Sequence, residues 1–171
     1  MSESYLPSGF PANRLAARIG LISDTHLPDR LQALPATLAS IFEGCDLLLH
    51  AGDVGELRVL DELGQIAPVV AVHGNDDTEE AQRELPEQQL VTVAGRRILL
   101  WHSQDPHRAT ELRIREADSW AVLLGRIRER ARRAGATLAV FGHIHVPLQQ
   151  EEDGILLVNP GALAPGNHYL R

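Results

Sequence analysis

Lysine is absent from this sequence, because all 16 basic side chains are arginine. Chemistry that needs a lysine amine, such as a Schiff base or a Walker-type phosphate contact, is therefore excluded. Cysteine is nearly absent as well. The single Cys45 has no partner in the chain for a disulfide, and we expect it to be a small, buried or half-buried residue.

Long apolar runs and an excess of positive charge are also missing. No run approaches the roughly 20 residues of a membrane span, and residues 1–17 lack the basic and apolar regions of a secretory signal. We therefore expect a cytoplasmic protein with no membrane role. The net charge of −7 opposes nucleic-acid backbones, so a nucleic-acid partner is disfavoured but stays open. Residues 1–17 are predicted to be a poorly ordered leader, and residues 18–171 one domain.

The first half of the chain alternates buried-strand and helix patterns. Short apolar runs at 18–24, 46–50 and 68–72 are typical of strands, and apolar residues at helical spacing occur at 31–42 and 56–66. This order predicts a parallel α/β core, in which ligands gather at the carboxyl ends of the strands.

The second half adds antiparallel pairs. The predicted elements are a hairpin of 89–93 with 97–101, a helix at 120–134, a strand at 137–141 and a hairpin of 147–150 with 155–158. The arginines at 126–133 fall mostly off the apolar stripe and indicate a solvated helix face rather than a nucleic-acid patch. Residues 104–118 show no period, so we expect a loop or short helical excursion that carries substrate contacts.

Polar side chains stand at nearly every predicted strand end. They are Asp24 and His26, Asp53, Asn75, His102, and His143 and His145. Taken singly, each has an ordinary explanation as a turn residue, a helix cap or a satisfied polar group. Together they offer oxygen and nitrogen ligands of the kind that Mn²⁺, Fe²⁺, Co²⁺, Ni²⁺ or Zn²⁺ accept. Glycine precedes Asp53, Asn75 and His143 and permits close backbone approach. The seven polar side chains together predict a metal site with two ions.

The ordered blocks Asp-x-His, Gly-Asp, Gly-Asn, His and Gly-His-x-His, followed by Asn159-Pro160-Gly161, resemble the calcineurin-like metallophosphoesterases. The closest resemblance is to the small bacterial and archaeal phosphodiesterase branch, which also contains the retromer scaffold subunit. It covers roughly residues 18–162. The resemblance implies a four-layer α/β/β/α sandwich of two mixed sheets, with a dinuclear metal site at the carboxyl ends of the strands.

The resemblance also assigns roles to residues. One metal ion would be bound by Asp24, His26, Asp53 and His145, and the other by Asp53, Asn75, His102 and His143, with Asp53 bridging through its two oxygens. The expected ions are divalent, with Mn²⁺ as first choice and Fe, Ni, Co or Zn as alternatives. The implied mechanism is in-line attack of a metal-bridging hydroxide on phosphorus, with Asp53, Asn75 and His102 as the catalytic residues.

Other residues receive supporting roles. Asn75 and His107 are expected to contact substrate, and His50, His73 and Asp77 to orient the ligands from behind. Many members of the family carry a histidine general acid after the Asn of the Gly-Asn block. Asp76 stands there in this chain, and an ionised Asp76 cannot protonate a leaving group, so esters with poor leaving groups should react slowly.

The predicted function is a metal-dependent phosphoesterase, and more specifically a phosphodiesterase, acting on a small phosphodiester or phosphoester. The alternative is a non-catalytic metal-binding or scaffold module on the same fold. That alternative typically has an altered first ligand block, whereas Asp24-x-His26 is intact here, so the enzyme is favoured. A homo-oligomer is left open.

Overall fold

The computed structural model describes residues 16–103, 110, 113 and 120–166. Eight strands and four helices have defined bounds within these ranges. The first sheet and its helices comprise β1 (Ile19–Ile22), α1 (Leu38–Ile41), β2 (Leu47–His50), α2 (Arg58–Gly64), β3 (Val69–Ala71) and α3 (Glu79–Glu84). The second sheet and its helix comprise β4 (Gln88–Val93), β5 (Arg96–Trp101), α4 (Trp120–Arg133), β6 (Leu138–Phe141), β7 (Leu148–Glu152) and β8 (Ile155–Asn159).

The two sheets differ in strand direction. The first sheet has the order β1-β2-β3 and is parallel throughout. The second has the order β4-β5-β6-β8-β7, in which β5, β6 and β8 run parallel while β4 and β7 pair antiparallel at the edges. Both predicted hairpins are thereby confirmed. Of the two sheets expected to be mixed, only the five-stranded one is mixed among the described strands, because helices rather than hairpins connect the strands of the other.

Three hydrophobic clusters separate four layers. Leu48 of β2 packs with Val59 and Leu63 of α2 on the outer face of the first sheet. The neighbouring Leu47 and Leu49 point the other way and pack against the second sheet, as the twofold alternation of a strand requires. On the far face of the second sheet, buried side chains of α4 pack with residues of β5, β6 and β8. The predicted α/β/β/α sandwich is confirmed.

Two elements depart from the sequence-based expectation. The helix predicted at 31–42 is confined to Leu38–Ile41, because Pro35 interrupts the helical pattern and the first turn forms only after it, with Leu38 N donating to the Pro35 carbonyl. Helix α3 was not predicted, since Ala81 is its only buried residue and it shows no apolar period. It is stabilised locally by Thr78, whose hydroxyl accepts a hydrogen bond from Ala81 N, and by glutamates in the first turn.

The arginine face of α4 is neutralised by acidic neighbours. Arg128 pairs with Glu152, and Arg132 lies 3.2 Å from Asp153 across the β7–β8 turn. Arg130 stacks over Trp101 with its guanidinium 4.1 Å from the ring centroid. Arg132 and Arg133 are exposed and the other three arginines are half-buried, so all five lie outside the buried stripe of α4. None of the helices in the described ranges is long and apolar enough to cross a membrane.

Candidate metal centre

The carboxyl ends of the parallel strands in both sheets meet at one edge of the sandwich. Strands β1, β2, β5 and β6 each run directly into a segment that carries predicted site residues. Backbone hydrogen bonds continue past the ends of β1 and β2, with Asp24 N donating to the Gly52 carbonyl (3.0 Å) and His26 N to the Asp53 carbonyl (2.9 Å). These bonds hold the first two ligand segments side by side.

Glycines allow these segments to approach one another closely. A β-carbon at Gly74 would lie 2.1 Å from Asp53 Oδ1, and one at Gly52 would lie 2.7 Å from His102 Nδ1. At Gly142 it would lie 2.9 Å from Asp24 Oδ2. The reason inferred from the sequence for these glycines is therefore confirmed, because any side chain would displace a predicted ligand.

The backbone of the site is strained. Eight non-glycine residues in the described ranges have positive φ, and two of them, Ala94 and Asp153, are hairpin-turn residues. The other six belong to the site: Asp24 (55°), His26 (47°), Asp53 (52°), Ser103 (81°), His143 (74°) and His145 (57°). Such conformations cost of order 1 kcal/mol each and persist only where surrounding structure enforces them. Side-chain placement at this edge is therefore imposed by the fold.

Asp24, His26 and His145 form a first buried group, whose potential ligand atoms all lie within 4.8 Å of one another. Asp24 Oδ1 is 3.1 Å from His145 Nε2 and 3.9 Å from His26 Nε2, and the two imidazole nitrogens are 3.2 Å apart. The backbone N–H of His143 and the Ser23 hydroxyl both donate to Asp24. This network leaves Asp24 Oδ1 facing the two histidines.

Asp53, His102 and His143 form a second buried group with the same 4.8 Å separation. Asp53 Oδ2 lies 3.2 Å from His102 Nε2 and also 3.6 Å from His26 Nε2 of the first group. The other oxygen, Oδ1, accepts the backbone N–H of Asp76 at 2.8 Å. Asp53 Oδ2 thus faces histidines of both groups, while Oδ1 accepts the Asp76 amide.

Hydrogen bonds to backbone carbonyls orient two imidazoles. His102 Nδ1 donates to the Ala51 carbonyl at 2.7 Å, and His145 Nδ1 faces the Gly166 carbonyl at 3.2 Å. Because a carbonyl only accepts, the proton of His102 sits on Nδ1 and the Nε2 lone pair points into the site. His102 Nε2 is buried and faces Asp53 Oδ2 at 3.2 Å, so the ring nitrogen and the carboxylate oxygen are both directed into the site.

The buried histidines and carboxylates of the site shift one another's pKa values. Burial would lower the pKa of His102, but the Asp53 and Asp24 carboxylates raise it to about 10. Burial would likewise raise the pKa of Asp53, but His102 brings it well below its usual range. The pKa of His26 is lowered by burial, an effect that Asp53 opposes and the charge of Arg30 reinforces. These opposite shifts in the pKa values of His102 and Asp53 show strong electrostatic coupling between the imidazole and the buried carboxylates.

The residues predicted to orient the ligands behave differently from one another. Asp77 is buried, and its two oxygens accept the backbone N–H groups of Gly55 and Gly74 at 2.6 Å each, so it ties two ligand loops together. His50 is buried and contacts the Thr25 hydroxyl at 2.7 Å beneath the site. His73 Nδ1 lies only near the carbonyl of its neighbour, at 3.3 Å.

Asn75 follows the end of β3, next to Asp76. Its side chain is exposed, and its amide nitrogen donates to Asp76 Oδ1 at 2.6 Å. Predicted His107 lies outside the described residues, as does most of the expected substrate segment 104–118. The structure therefore brings together six of the seven predicted ligands: Asp24, His26, Asp53, His102, His143 and His145.

The model of the calcineurin-like phosphoesterase superfamily domain matches residues 17–170. The chain belongs to this superfamily. A probable metallophosphoesterase of Methanothermobacter thermautotrophicus is 34% identical over 144 residues, which are 84% of this chain and 76% of that protein. A phosphodiesterase of Methanocaldococcus jannaschii is 26% identical over 161 residues, with 84% of this chain and 82% of that protein covered.

The fold is shared with solved members of the superfamily. The structure of wild-type Vps29 from Entamoeba histolytica complexed with Zn²⁺ matches with a TM-score of 0.68. The match covers 90% of this chain and 79% of Vps29, at 20% sequence identity. At this identity the likeness concerns the fold alone.

Three further residues of this superfamily member lie around the site, of which Asn159 and Asp76 were noted in the sequence motifs and Arg30 was not. Asn159 of β8 donates to the Gly142 carbonyl at 2.8 Å and accepts from Gly161 N, so it braces the Gly-His-x-His segment. Its place at the end of the last strand was a usable signal. Arg30 and Asp76 pair with each other beside His26, and because 46 positions separate them, no local pattern could have linked them.

Proposed function

We propose that this protein is a metal-dependent phosphodiesterase with a dinuclear centre at the common edge of its two sheets. The first ion would be held by Asp24, His26, His145 and Asp53, and the second by Asp53, His102, His143 and Asn75. The position of Asp53 Oδ2 carries the proposal, since it lies 3.6 Å from His26 and 3.2 Å from His102, between two Asp/His groups. Asn75 would bind through its amide oxygen, while its amide nitrogen donates to Asp76.

The donor set fits divalent ions. Imidazole nitrogens and carboxylate oxygens suit Mn²⁺, Fe²⁺, Co²⁺, Ni²⁺ and Zn²⁺, and neither group contains the thiolates that would select softer metals. Buried His102 Nε2 and Asp53 Oδ2 lie 3.2 Å apart, and a cation could be bound by both atoms. Mn²⁺ is our first choice, with the others as alternatives.

Bound ions of this kind supply Lewis acidity and an activated water for in-line displacement at phosphorus. The residues of the chain set the conditions. Asp24 and Asp53 bring two negative charges into a buried place, which favours cations there, and the backbone bonds to His102 and Asp24 hold the donor atoms in position before any ligand arrives. Both oxygens of Asp76 accept hydrogen bonds, one from Asn75 and one from Arg30.

Hydrolysis of an activated diester tests the proposal. Metal-free protein reconstituted with Mn²⁺ should hydrolyse bis(p-nitrophenyl) phosphate, and Asp53→Asn should reduce the rate by several orders of magnitude while weakening metal binding. Asp61→Asn, on the exposed face of α2, is the matched control and should behave like the unaltered protein. Equal background rates in the unaltered protein and in Asp53→Asn, with every candidate metal, would favour the non-catalytic metal-binding or scaffold module instead.

A further inference from the structure

Arg30 is held at the mouth of the site by a turn that starts at a proposed ligand. Its backbone N–H donates to the His26 carbonyl at 2.8 Å. Its guanidinium Nη2 donates to Asp76 Oδ2 at 3.1 Å, and the same oxygen lies 3.8 Å from His26 Nδ1. One carboxylate therefore separates the guanidinium from the first ligand group.

The second terminal nitrogen of this guanidinium has no partner. Arg30 Nη1 is buried and makes no hydrogen bond with the described residues. A charged donor left unsatisfied away from water is costly, and a native structure retains one where something else satisfies it. Arg58 provides the contrast, since this exposed arginine on α2 pairs with both Glu56 and Glu62.

Charge favours an anion as the missing partner. Asp76 neutralises Arg30 only through Nη2, and it is the one carboxylate that the structure places in contact with this guanidinium among the described residues. A guanidinium presents planar donors that match the oxygens of a phosphoryl group, and charge-assisted hydrogen bonds of this kind are short and strong. Since Asp76 Oδ2 contacts both Arg30 Nη2 and His26 Nδ1, an anion bound to Nη1 would be one carboxylate away from the first ligand group.

We infer that Arg30 is a substrate-binding residue whose Nη1 donates to a non-bridging oxygen of the substrate's phosphoryl group, while Asp76 holds the guanidinium through Nη2. The inference rests on the proposed phosphodiesterase function and extends it to a residue outside the metal-ligand set. It assigns Asp76 a positioning role: the carboxylate orients the guanidinium by accepting a hydrogen bond from Nη2.

The primary experiment is a pair of measurements on Mn²⁺-loaded Arg30→Ala, with Arg58→Ala as the matched control. Loss of one charge-assisted hydrogen bond should lower kcat/KM for bis(p-nitrophenyl) phosphate by about 10- to 100-fold, mainly through KM. Binding of inorganic phosphate, measured by calorimetry, should weaken by a similar factor. Arg30→Lys, which keeps the charge without the planar fork, should recover part of both losses, and Arg58→Ala should change neither.

A double-mutant cycle with Asp76→Asn separates direct contact from an effect through Asp76. If Arg30 touches substrate, Arg30→Ala should still weaken phosphate binding about 10-fold or more in the Asp76→Asn background. If Arg30 only positions Asp76, Arg30→Ala should have no further effect there, and that result would overturn the inference. Metal content and thermal midpoints of all variants show whether each protein is folded and loaded.

The outcomes for the two proposals are distinguishable. Diester hydrolysis with phosphate binding and KM unchanged in Arg30→Ala would refute the role of Arg30 and leave the phosphodiesterase intact. No hydrolysis of any ester, together with phosphate binding that Arg30→Ala weakens, would refute the activity and support anion binding by Arg30.

Discussion

Gly74→Ala should break the proposed metal centre by adding a single methyl group. The β-carbon would lie 2.1 Å from Asp53 Oδ1 and 2.7 Å from both Asp53 N and His102 Cδ2, where ordinary contacts begin at 3.4 Å. Asp53 would have to move by roughly 1 Å, whereas metal–ligand distances tolerate about 0.2 Å. We therefore expect metal affinity to fall at least about 10-fold.

The stability cost of the same change is separable from its effect on the site. Forcing an extra carbon into a packed place costs about 1–3 kcal/mol, which urea denaturation of the metal-free protein measures. The matched control is Gly64→Ala at the end of α2, where an added β-carbon meets nothing within 4 Å. Because alanine favours the helix, Gly64→Ala should raise stability by up to about 1 kcal/mol and leave metal binding unchanged.

The assay is metal titration of folded protein, followed by calorimetry and by elemental analysis after dialysis. Urea denaturation at the assay temperature shows that Gly74→Ala is folded in the absence of urea, so that lost metal binding cannot be attributed to unfolding. If Gly74→Ala binds Mn²⁺ as tightly as the unaltered protein while Gly64→Ala behaves as expected, the close approach of Gly74 does not determine the position of Asp53, and our account of the glycines is refuted.

Three more predictions concern residues around the centre. Burial lowers the pKa of His50 from 6.5 to about 4. Between these pH values His50 is protonated in the unfolded chain but neutral in the folded one, so the free energy of unfolding should fall by up to about 3 kcal/mol as the pH drops from 6.5 to 4. His50→Gln should flatten that part of a urea-stability profile, and an unchanged profile would contradict the assignment. Asp77→Ala leaves the N–H groups of Gly55 and Gly74 without acceptors and should cost about 1–3 kcal/mol and weaken metal binding. Asp77→Asn, which keeps one accepting oxygen, should lose less in the same measurements. Because Asp76 stands where many members of the superfamily carry a histidine general acid, kcat should depend steeply on leaving-group pKa across aryl and alkyl diesters, and Asp76→His should flatten the dependence if position 76 faces the leaving group. A flat series for the unaltered protein, with chemistry rate-limiting, would show that another group supplies the proton.

Much of the fold was predictable because its strands are buried on both faces. Leu47–His50 reads as a continuous apolar run since α2 covers one side and the second sheet the other, and such runs are typical of parallel strands. Helix α3 escaped prediction for the opposite reason: an element that buries one alanine leaves no period to detect. The shortened α1 shows that apolar residues at helical spacing do not always form a helix, since Leu31 and Leu34 pack against the core but lie before the first residue of α1.

The residue types of the site could be predicted from the sequence, because they follow the ends of the predicted strands. Aspartates, histidines and glycines follow the predicted strands in an order specific enough to indicate the superfamily, because the carboxyl ends of parallel strands must meet at one edge. The groups of Asp24 with His145 and of Asp53 with His102 follow from the ordered motifs. The sequence also predicted that Gly52, Gly74 and Gly142 allow the backbone to approach the ligand residues closely.

Only the tertiary structure decided how those residues meet. A single oxygen of Asp53 faces both groups because the Asp76 amide, 23 positions away, binds the other. Arg30 and Asp76 come together across 46 positions, and Asn75 turns toward Asp76. These contacts depend on loop conformations with positive φ and on how two sheets pack, whereas sequence patterns report periodicity within one element. Local pattern thus determined which groups reach the edge, and packing between distant segments determined what each atom faces there.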